Sequence, residues 1–240
     1  MIRGYWTARA GMISHQTRMD TIANNMANAS TTAFKPQRSS FKDLIYQNVN
    51  RIQAQDSAMV GAGVKVNTND SLMMQGALYP TERELDMALL GDGDFFMLEA
   101  SNGDILYSRA GNFYLQLEDD ETAYLVDGSG NRVLDVDGEQ IELELIDGKF
   151  NFDPQIVGIY RFPNQYGLTR MGDNGYVETA SSGAPELVEI PEYKQGYLEG
   201  SAVQISQEMV GVIEASKAFS LSARMSQVAD EVEQTINNLR

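Results

Sequence analysis

The sequence predicts an α+β protein in which paired N- and C-terminal coiled-coil-like helices enclose a β-rich, antiparallel central domain. Three observations lead to this fold class. The first and the last segments each repeat apolar residues at intervals of three and four, as a helix with one apolar face does. The middle of the 240-residue chain instead has short alternating runs separated by turn dipeptides. We therefore divide the sequence into residues 1–33, 34–80, 81–197 and 198–240.

Residues 1–33 are predicted to form a helix with a narrow apolar seam. The residues that recur every seven positions are Tyr5, Met12, Met19 and Met26, and Ile22 lies at one of the interleaved positions. This spacing places all of them on one side of a helix, at the a and d positions of a coiled coil. A narrow seam favours packing against another helix over packing on a thick globular core.

Residues 198–240 are predicted to form a second helix of the same kind. Its apolar residues alternate at intervals of four and three, and then continue on a rotated face. Those singled out for the seam are Met209, Val212, Phe219, Met225, Val228 and Val232.

The two middle segments lack helical periodicity. Residues 34–80 contain Pro36 and several polar runs, and they are predicted to be an extended connection. Residues 81–197 are predicted to form antiparallel strands, because they contain strong hairpin dipeptides: Asn102-Gly103, Asp127-Gly128, Asp137-Gly138, Asp147-Gly148 and Asn174-Gly175. The run from Ile141 to Leu145 alternates apolar and acidic residues, as a strand with one buried face does.

The charge of the chain argues against binding to nucleic acids. Its formal net charge is −16 at pH 7, whereas binding to the phosphate backbone requires a basic surface. Residues 1–51 contain only two acids, Asp20 and Asp43, against seven arginines and lysines, so a basic leading segment precedes an acidic body. This asymmetry favours self-association or an acidic partner.

No cysteine site, transmembrane segment or cleaved signal is predicted. The chain has no cysteine, which excludes disulfides and thiolate nucleophiles. No apolar run is long enough to cross a bilayer. Because Arg3, Arg9 and His15 interrupt the N-terminal segment, it lacks the apolar middle of a secretory signal, and any export is expected to use another route.

Catalytic and metal-binding chemistry finds little support. His15 is the single histidine, and it lies on the helical seam, where a packing role is expected. Zinc sites built from histidine and cysteine are therefore excluded. An EF-hand loop counted from Asp127 would need glycine where Arg132 stands. No cofactor is predicted, but a glycosidase-like carboxylate pair stays open, because acids are abundant.

The stretch IANNMANASTTAFK, residues 22–35, resembles the N-terminal signature of flagellar basal-body rod and hook proteins. That signature reads like A-N-N-L-A-N, a few small polar residues, and then T-G-F-K. The matching residues are Asn24, Asn25, Ala27, Asn28, Thr32, Phe34 and Lys35. Ala33 stands where the family commonly has glycine, so a left-handed backbone is not expected at this position.

Further stretches resemble the same family, in the same order along the chain. ELDMALLGDGDFF at 84–96 is similar to L-D-x-A-I-x-G-x-G-F-F with Asp94 inserted, and YSRAGNF at 107–113 is similar to Y-T-R-x-G-x-F. QGYLEGSAV at 195–203 is similar to Q-G-x-L-E-x-S-N-V. ETASSGAP at 178–185 is most similar to the distal-rod branch, with the proximal-rod branch as the alternative.

The resemblance implies a structural subunit of the flagellar rod and no enzyme. Its two terminal helices would pair and line a hollow helical axle that transmits torque from motor to hook, with the β-domain outside. The implied partners are further copies of the chain, neighbouring rod and hook proteins, and the flagellar type III export apparatus. The implied location is the basal body, beyond the cytoplasm, with neither nucleic acid nor membrane insertion.

The asparagines then have two possible roles. Asparagine weakens a helix because its side chain competes for backbone hydrogen bonds, so Asn24, Asn25 and Asn28 would end the first helix. An amide also donates and accepts at once, so they would equally bind the backbone or neighbouring subunits. Two functions of other classes stay open: an extracytoplasmic carbohydrate-active enzyme, and a monomeric binding module with termini that are ordered in dilute solution.

Overall fold

The structure is a computed structural model that describes residues 3–44, 47–49, 58–118, 122–146, 149–150, 152–172 and 174–239. Helix α1, Arg3–Ala27, and helix α2, Ile205–Asn238, lie near the two ends of the sequence, and antiparallel strands lie between them. The α+β class with terminal helices and a β-rich middle is therefore confirmed. The chain divides into two compact units, each built from segments that are distant in sequence.

Unit 1 comprises Met1–Ala27, Gln37–Leu72 and Gln204–Arg240, and it holds both helices. Its strands are β1 (Gln37–Asp43), β2 (Gln47–Val49), β3 (Ala58–Val60) and β4 (Val64–Ser71). Strands β1 and β4 pair antiparallel with a register shift between Ser40 and Phe41, and β2 pairs with β3. Helix α1 packs on α2 and on the β1–β4 pair.

Unit 2 comprises Asn28–Pro36 and Met73–Val203. Its strands are β5 (Leu78–Pro80), β6 (Met87–Leu89), β7 (Asp94–Glu99), β8 (Ile105–Ser108), β9 (Tyr114–Leu117), β10 (Thr122–Val126), β11 (Arg132–Val133), β12 (Glu142–Ile146), β13 (Lys149–Phe150), β14 (Ile159–Arg161), β15 (Thr169–Met171), β16 (Gly175–Val177), β17 (Glu186–Leu187), β18 (Tyr193–Gln195) and β19 (Tyr197–Glu199). Two short 3-10 helices span Pro154–Ile156 and Gln165–Gly167.

Strand β7 organises the main sheet of unit 2, because it pairs antiparallel with β8, β11 and β14. The sheet continues from β8 through β16 to β15 on one side, and from β11 through β10 and β12 to β13 on the other. Two smaller pairs, β5–β19 and β6–β18, join the beginning of the unit to its end. Segment 198–240 of the sequence thus begins with the end of a strand, and α2 starts only at Ile205.

The hairpin dipeptides mark turns where the structure describes them. Asn102-Gly103 joins β7 to β8 with Gly103 at φ 84°, and Asp127-Gly128 lies between β10 and β11. Asp137-Gly138 and Asn174-Gly175 likewise lie at turns. Asp147-Gly148, between β12 and β13, lies outside the described residues.

The core of unit 2 has two clusters, one mainly of aliphatic side chains and one mainly of aromatic side chains. Leu89, Phe96, Phe113, Leu125 and Val133 are fully buried in the first cluster. The alternation from Ile141 is as predicted at its start, because Ile141 and Leu143 are buried and Glu142 is exposed.

The aromatic cluster of unit 2 joins rings edge to face. Phe95 packs against Phe162 and Tyr176, with ring centroids 5.9 and 5.7 Å apart, and Tyr107 packs on Phe162 at 4.8 Å. Such edge-to-face pairs stabilise a core beyond their buried area.

Candidate assembly surface

Asn25 joins three segments of unit 1. Its Nδ2 donates to the carbonyl oxygen of Gln37 at 2.8 Å, and its Oδ1 accepts from the Gln37 N–H at 2.9 Å. The amide side chain thus makes the same two hydrogen bonds to the Gln37 backbone that a paired β-strand would make. The same Nδ2 donates to Glu208 Oε1 at 3.0 Å. Asn25 is 1% exposed, so it fixes the end of α1 to the start of β1 and to the first turn of α2.

Asn28 has a different role, because it lies in the turn that follows α1. Its Oδ1 accepts from Thr31 Oγ1 at 3.1 Å, and its carbonyl oxygen accepts from the Thr31 N–H at 3.2 Å. Asn24 is exposed on the last turns of α1. Asn25 thus makes contacts within the chain, and Asn28 lies in the turn where α1 ends.

The two helices meet through small side chains. Helices α1 and α2 run antiparallel, since Gly11 faces Ser222 and Ile22 faces Gly211. A Cβ added at Gly11 would lie 3.1 Å from Ser222 Oγ, and one added at Gly211 would lie 3.1 Å from Ile22 Cδ1. Both contacts are tighter than ordinary van der Waals distance, so small residues of α2 lie at its closest approach to α1.

The large apolar residues of α2 consequently point outward. We call Leu221, Met225, Val228, Val232, Ile236 and Leu239 the outer stripe of α2. They recur at intervals of four and three, and between 46% and 84% of each is exposed. A contiguous exposed apolar surface of this kind marks a site of protein–protein contact.

The remaining predicted seam residues differ in their burial. Ile22 is buried in unit 1, and Met12, Met19, Met26, Val212 and Phe219 are half-buried. Met209 and Tyr5 are exposed. At the start of α1, Tyr5 stacks edge to face on Trp6, and the Arg9 guanidinium lies 5.5 Å from the Trp6 ring.

Phe34 and Lys35 are buried in unit 2, where Lys35 joins a charge cluster. The Lys35 Nζ donates to Glu199 Oε1 and to the carbonyl oxygen of Met74. Arg109 Nε donates to Glu199 Oε2 at 3.0 Å, so one buried carboxylate faces two cations. Burial lowers the pKa of Lys35, the Glu199 carboxylate opposes that shift, and Arg109 adds to it.

Sequence reasoning did not single out Arg109 and Glu199 as site residues. Both stand inside stretches that resemble the family, YSRAGNF and QGYLEGSAV, and Lys35 ends the N-terminal signature. Arg109 also donates to the carbonyl oxygens of Gly91 and Asp94, in the fourth such stretch. The four motifs therefore meet at one buried cluster: three of them contribute a charged side chain, and the fourth contributes carbonyl oxygens. A charged residue in each of those three motifs was the available signal in the sequence.

The backbone at Ala33 corrects one expectation. Ala33 has φ 54°, in the left-handed region, although alanine was expected to disfavour it. The reason is the surrounding hydrogen bonds: the Ala33 N–H donates to the carbonyl oxygen of Glu199 at 2.8 Å, and the Ala202 N–H donates to that of Phe34 at 3.0 Å. These bonds tie the first segment of unit 2 to its last and fix the conformation.

Within the described residues, no group of histidine, cysteine, aspartate and glutamate could hold a metal ion. Neither helix, over its described length, is long and apolar enough to cross a membrane.

Family models match three stretches of the chain. The family described as flagellar hook protein FlgE/F/G D1 domain matches residues 88–212. The flagella basal body rod protein family matches residues 7–35, and the C-terminal domain of the flagellar basal body rod FlgEFG proteins matches residues 194–239.

Individual relatives point to one branch of that family. The chain is 32% identical to the flagellar basal-body rod protein FlgG of Bacillus subtilis over 100% of both chains. It is 33% identical to FlgG of Borreliella burgdorferi, over 100% of this chain and 99% of the relative. The flagellar hook protein FlgE of the latter organism is 32% identical over 59% of this chain and 34% of its own.

Full-length similarity to FlgG proteins favours the distal-rod branch over the proximal one. It also favours a structural rod subunit over the enzyme and the binding module that the sequence had left open. The chain therefore belongs to the flagellar basal-body rod and hook proteins, as a structural subunit of the FlgG type, in the basal body together with neighbouring rod and hook proteins.

Proposed function

We propose that this chain polymerises with copies of itself into the distal rod, a hollow helical axle that transmits torque from the motor to the hook. The observation that carries the proposal is the outer stripe of α2. Six large apolar side chains at helical spacing are exposed in the single chain, and burying them requires neighbouring molecules.

In this proposal the terminal helices form the axial part of the subunit. The axial helices come from residues 1–33 and 198–240. The segment 34–80 connects the first of them to the β-rich domain, residues 81–197, which lies outside the axial part. Contact between α1 and α2 within unit 1 supports a coiled-coil-like pair. The seam residues would contact other copies: Tyr5, Met12, Met19, Met26, Met209, Val212, Phe219, Met225, Val228 and Val232.

Val228→Asp tests the proposal. Val228 is 50% exposed, so a charge costs little in the single chain. Burying it unpaired between copies costs more than the roughly 2–7 kcal/mol of an unpaired neutral polar group. We expect a monomer that unfolds like the parent but forms no rods, measured by electron microscopy of basal bodies and by motility.

A matched control places the same charge in unit 2. Ile190 is 85% exposed, and Ile190→Asp should leave rod formation intact. Rods of normal length from the Val228→Asp strain would contradict the assembly role of the stripe.

We propose the flagellar type III apparatus as the export route. The basis is the family resemblance together with Arg3, Arg9 and His15, which interrupt the N-terminal segment. A strain without that apparatus should retain the chain inside the cell, and the chain's appearance in the medium or periplasm of that strain would exclude this route.

A further inference from the structure

Unit 1 contains a groove beside the last turns of α1 and the first turns of α2. Its volume is about 460 Å³, and its lining includes Arg18, Ile22, Arg38, Phe41, Leu72 and Gly211. Ile22, Phe41 and Leu72 give it apolar walls, and Phe41 is 39% exposed. The groove therefore offers apolar surface that a second molecule can reach.

Two arginines add positive charge to this groove. Arg18 Nη2 donates to Glu214 Oε2 at 3.1 Å, whereas Arg38 makes no ion pair within the part of the chain that the structure describes. Glu208, the acid in the lining, accepts the Nδ2 hydrogen bond of Asn25. Arg38 is thus the charge best placed to bind an acidic group.

The opposite end of α2 has the complementary composition. All described residues from 230 to 239 are exposed, whereas Ala215 and Ala229 are buried on the side that faces α1. This stretch holds three acids, Asp230, Glu231 and Glu233, and the single basic residue after them is Arg240. It also carries the last three residues of the outer stripe.

These two surfaces cannot meet within one chain. Gly211, in the groove, and Ile236, near the end of α2, are separated by roughly 40 Å of continuous helix, at 1.5 Å per residue. Each surface needs a second molecule, and one that carries both can pair head to tail with its neighbour. Such a heterologous contact generates an open helical filament when the rotation between copies does not close a ring.

We propose that residues 230–239 of one copy bind the groove of the next copy. Val232 and Ile236 pack against Phe41 and Leu72, and the acids of the stretch pair with Arg38. The proposal rests on the rod function and makes it specific, because it names which two surfaces of the chain meet.

Engineered cysteines test the contact directly, because the chain has no cysteine of its own. We expect oxidised rods of the Phe41→Cys, Ile236→Cys double variant to give a ladder of disulfide-linked dimers, trimers and longer chains. Each single variant, and the control pair Phe41→Cys with Ile190→Cys, should give no ladder. Dimers alone, or no cross-link in rods that form normally, would overturn the proposal.

Charge reversal tests the pairing in the absence of cysteines. Arg38→Glu, or Glu231→Lys with Glu233→Lys, should raise the critical concentration for polymerisation of the purified chain about tenfold or more. Combining all three substitutions should bring the critical concentration most of the way back to that of the parent. Glu186→Lys with Glu189→Lys, the same change at unit 2, is the control. No recovery in the combined variant would overturn the pairing.

The outcomes separate this proposal from the rod function. Cross-links from the groove to a basal-body protein of another mass would show a different occupant and overturn the head-to-tail contact, while the rod function would stand. Failure of the unaltered chain to form rods or to enter basal bodies would overturn both.

Discussion

The two units bury their apolar residues in opposite ways. Unit 2 encloses its large side chains, so that Phe95, Phe96 and Phe113 have no exposed surface. Unit 1 joins its helices through glycine, alanine and serine, and it leaves large residues such as Met225 and Ile236 outside. Unit 2 therefore has the interior of an independent domain, whereas unit 1 has the composition of a domain whose interior is completed by other molecules.

The difference implies that stability and assembly depend on different residues. A change inside unit 2 is expected to lower the free energy of unfolding of the single chain. A change on the outer stripe is expected to leave that free energy nearly unaltered and to weaken the polymer.

The largest effect is expected from Glu199→Gln, because it leaves Lys35 and Arg109 buried without a carboxylate. Loss of one partner of a buried ion pair costs about 3–5 kcal/mol. Urea unfolding followed by near-UV circular dichroism of the aromatic cluster would measure it. The control Glu186→Gln, at an exposed acid, should change the free energy of unfolding by less than about 0.5 kcal/mol. A loss as small as the control's would contradict the structural role of the cluster.

Asn25→Ala is expected to weaken unit 1 alone. It removes the partners of the Gln37 N–H and carbonyl group, and unsatisfied buried groups cost about 1–3 kcal/mol. Hydrogen exchange should show faster exchange along α1 with unit 2 unchanged. Gln16→Ala, at an exposed position of the same helix, is the matched control. Equal exchange in both variants would mean that Asn25 merely ends the helix.

Alkaline pH is expected to destabilise unit 2 through Tyr107. Burial raises the pKa of Tyr107 to about 12, with Glu178 and Tyr160 acting in the same direction, from an ordinary value of 10.0. Since the folded pKa is the higher one, the stabilising contribution is complete below pH 10 and is lost as the pH rises through 12. In Tyr107→Phe, the free energy of unfolding should fall less between pH 10 and 12 than in the parent. Parallel pH profiles would contradict this.

The smallest effect is expected from Ala33→Gly. Alanine at φ 54° is strained by about 1 kcal/mol, and glycine relieves that strain. Thermal unfolding should show a small gain in stability, whereas Ala180→Gly, at an exposed turn residue with φ outside the left-handed region, should show none. A loss at Ala33→Gly would mean that the Cβ contacts of Ala33 outweigh the strain.

The sequence predicts the structural features that depend on residues close together in the chain. The helical periodicity located α1 and α2, and dipeptides such as Asn102-Gly103 located the turns, because glycine and asparagine tolerate positive φ. It did not predict which face of α2 lies inside. Heptad spacing identifies a large apolar face, but the partner helix decides which face is in contact, and Gly11 of α1 lies against the small Ser222 of α2.

Long-range contacts also escaped sequence reasoning. Lys35 and Glu199 are 164 positions apart, and no periodicity relates two such charges. The left-handed Ala33 depends on the same junction, where the carbonyl oxygen of Glu199 accepts its N–H. Local preference disfavoured that conformation, and hydrogen bonds from the end of unit 2 imposed it.

Trp6 gives the chain a built-in optical signal. It is the one tryptophan of the sequence, and it lies 48% exposed at the start of α1, beside Tyr5 and Arg9. Indole emission moves to shorter wavelength when water leaves the ring. A copy that joins a polymer at this end of α1 should therefore show an emission maximum at shorter wavelength than the free chain. Fluorescence excited at the red edge of the indole band would then follow rod growth in real time, without any label.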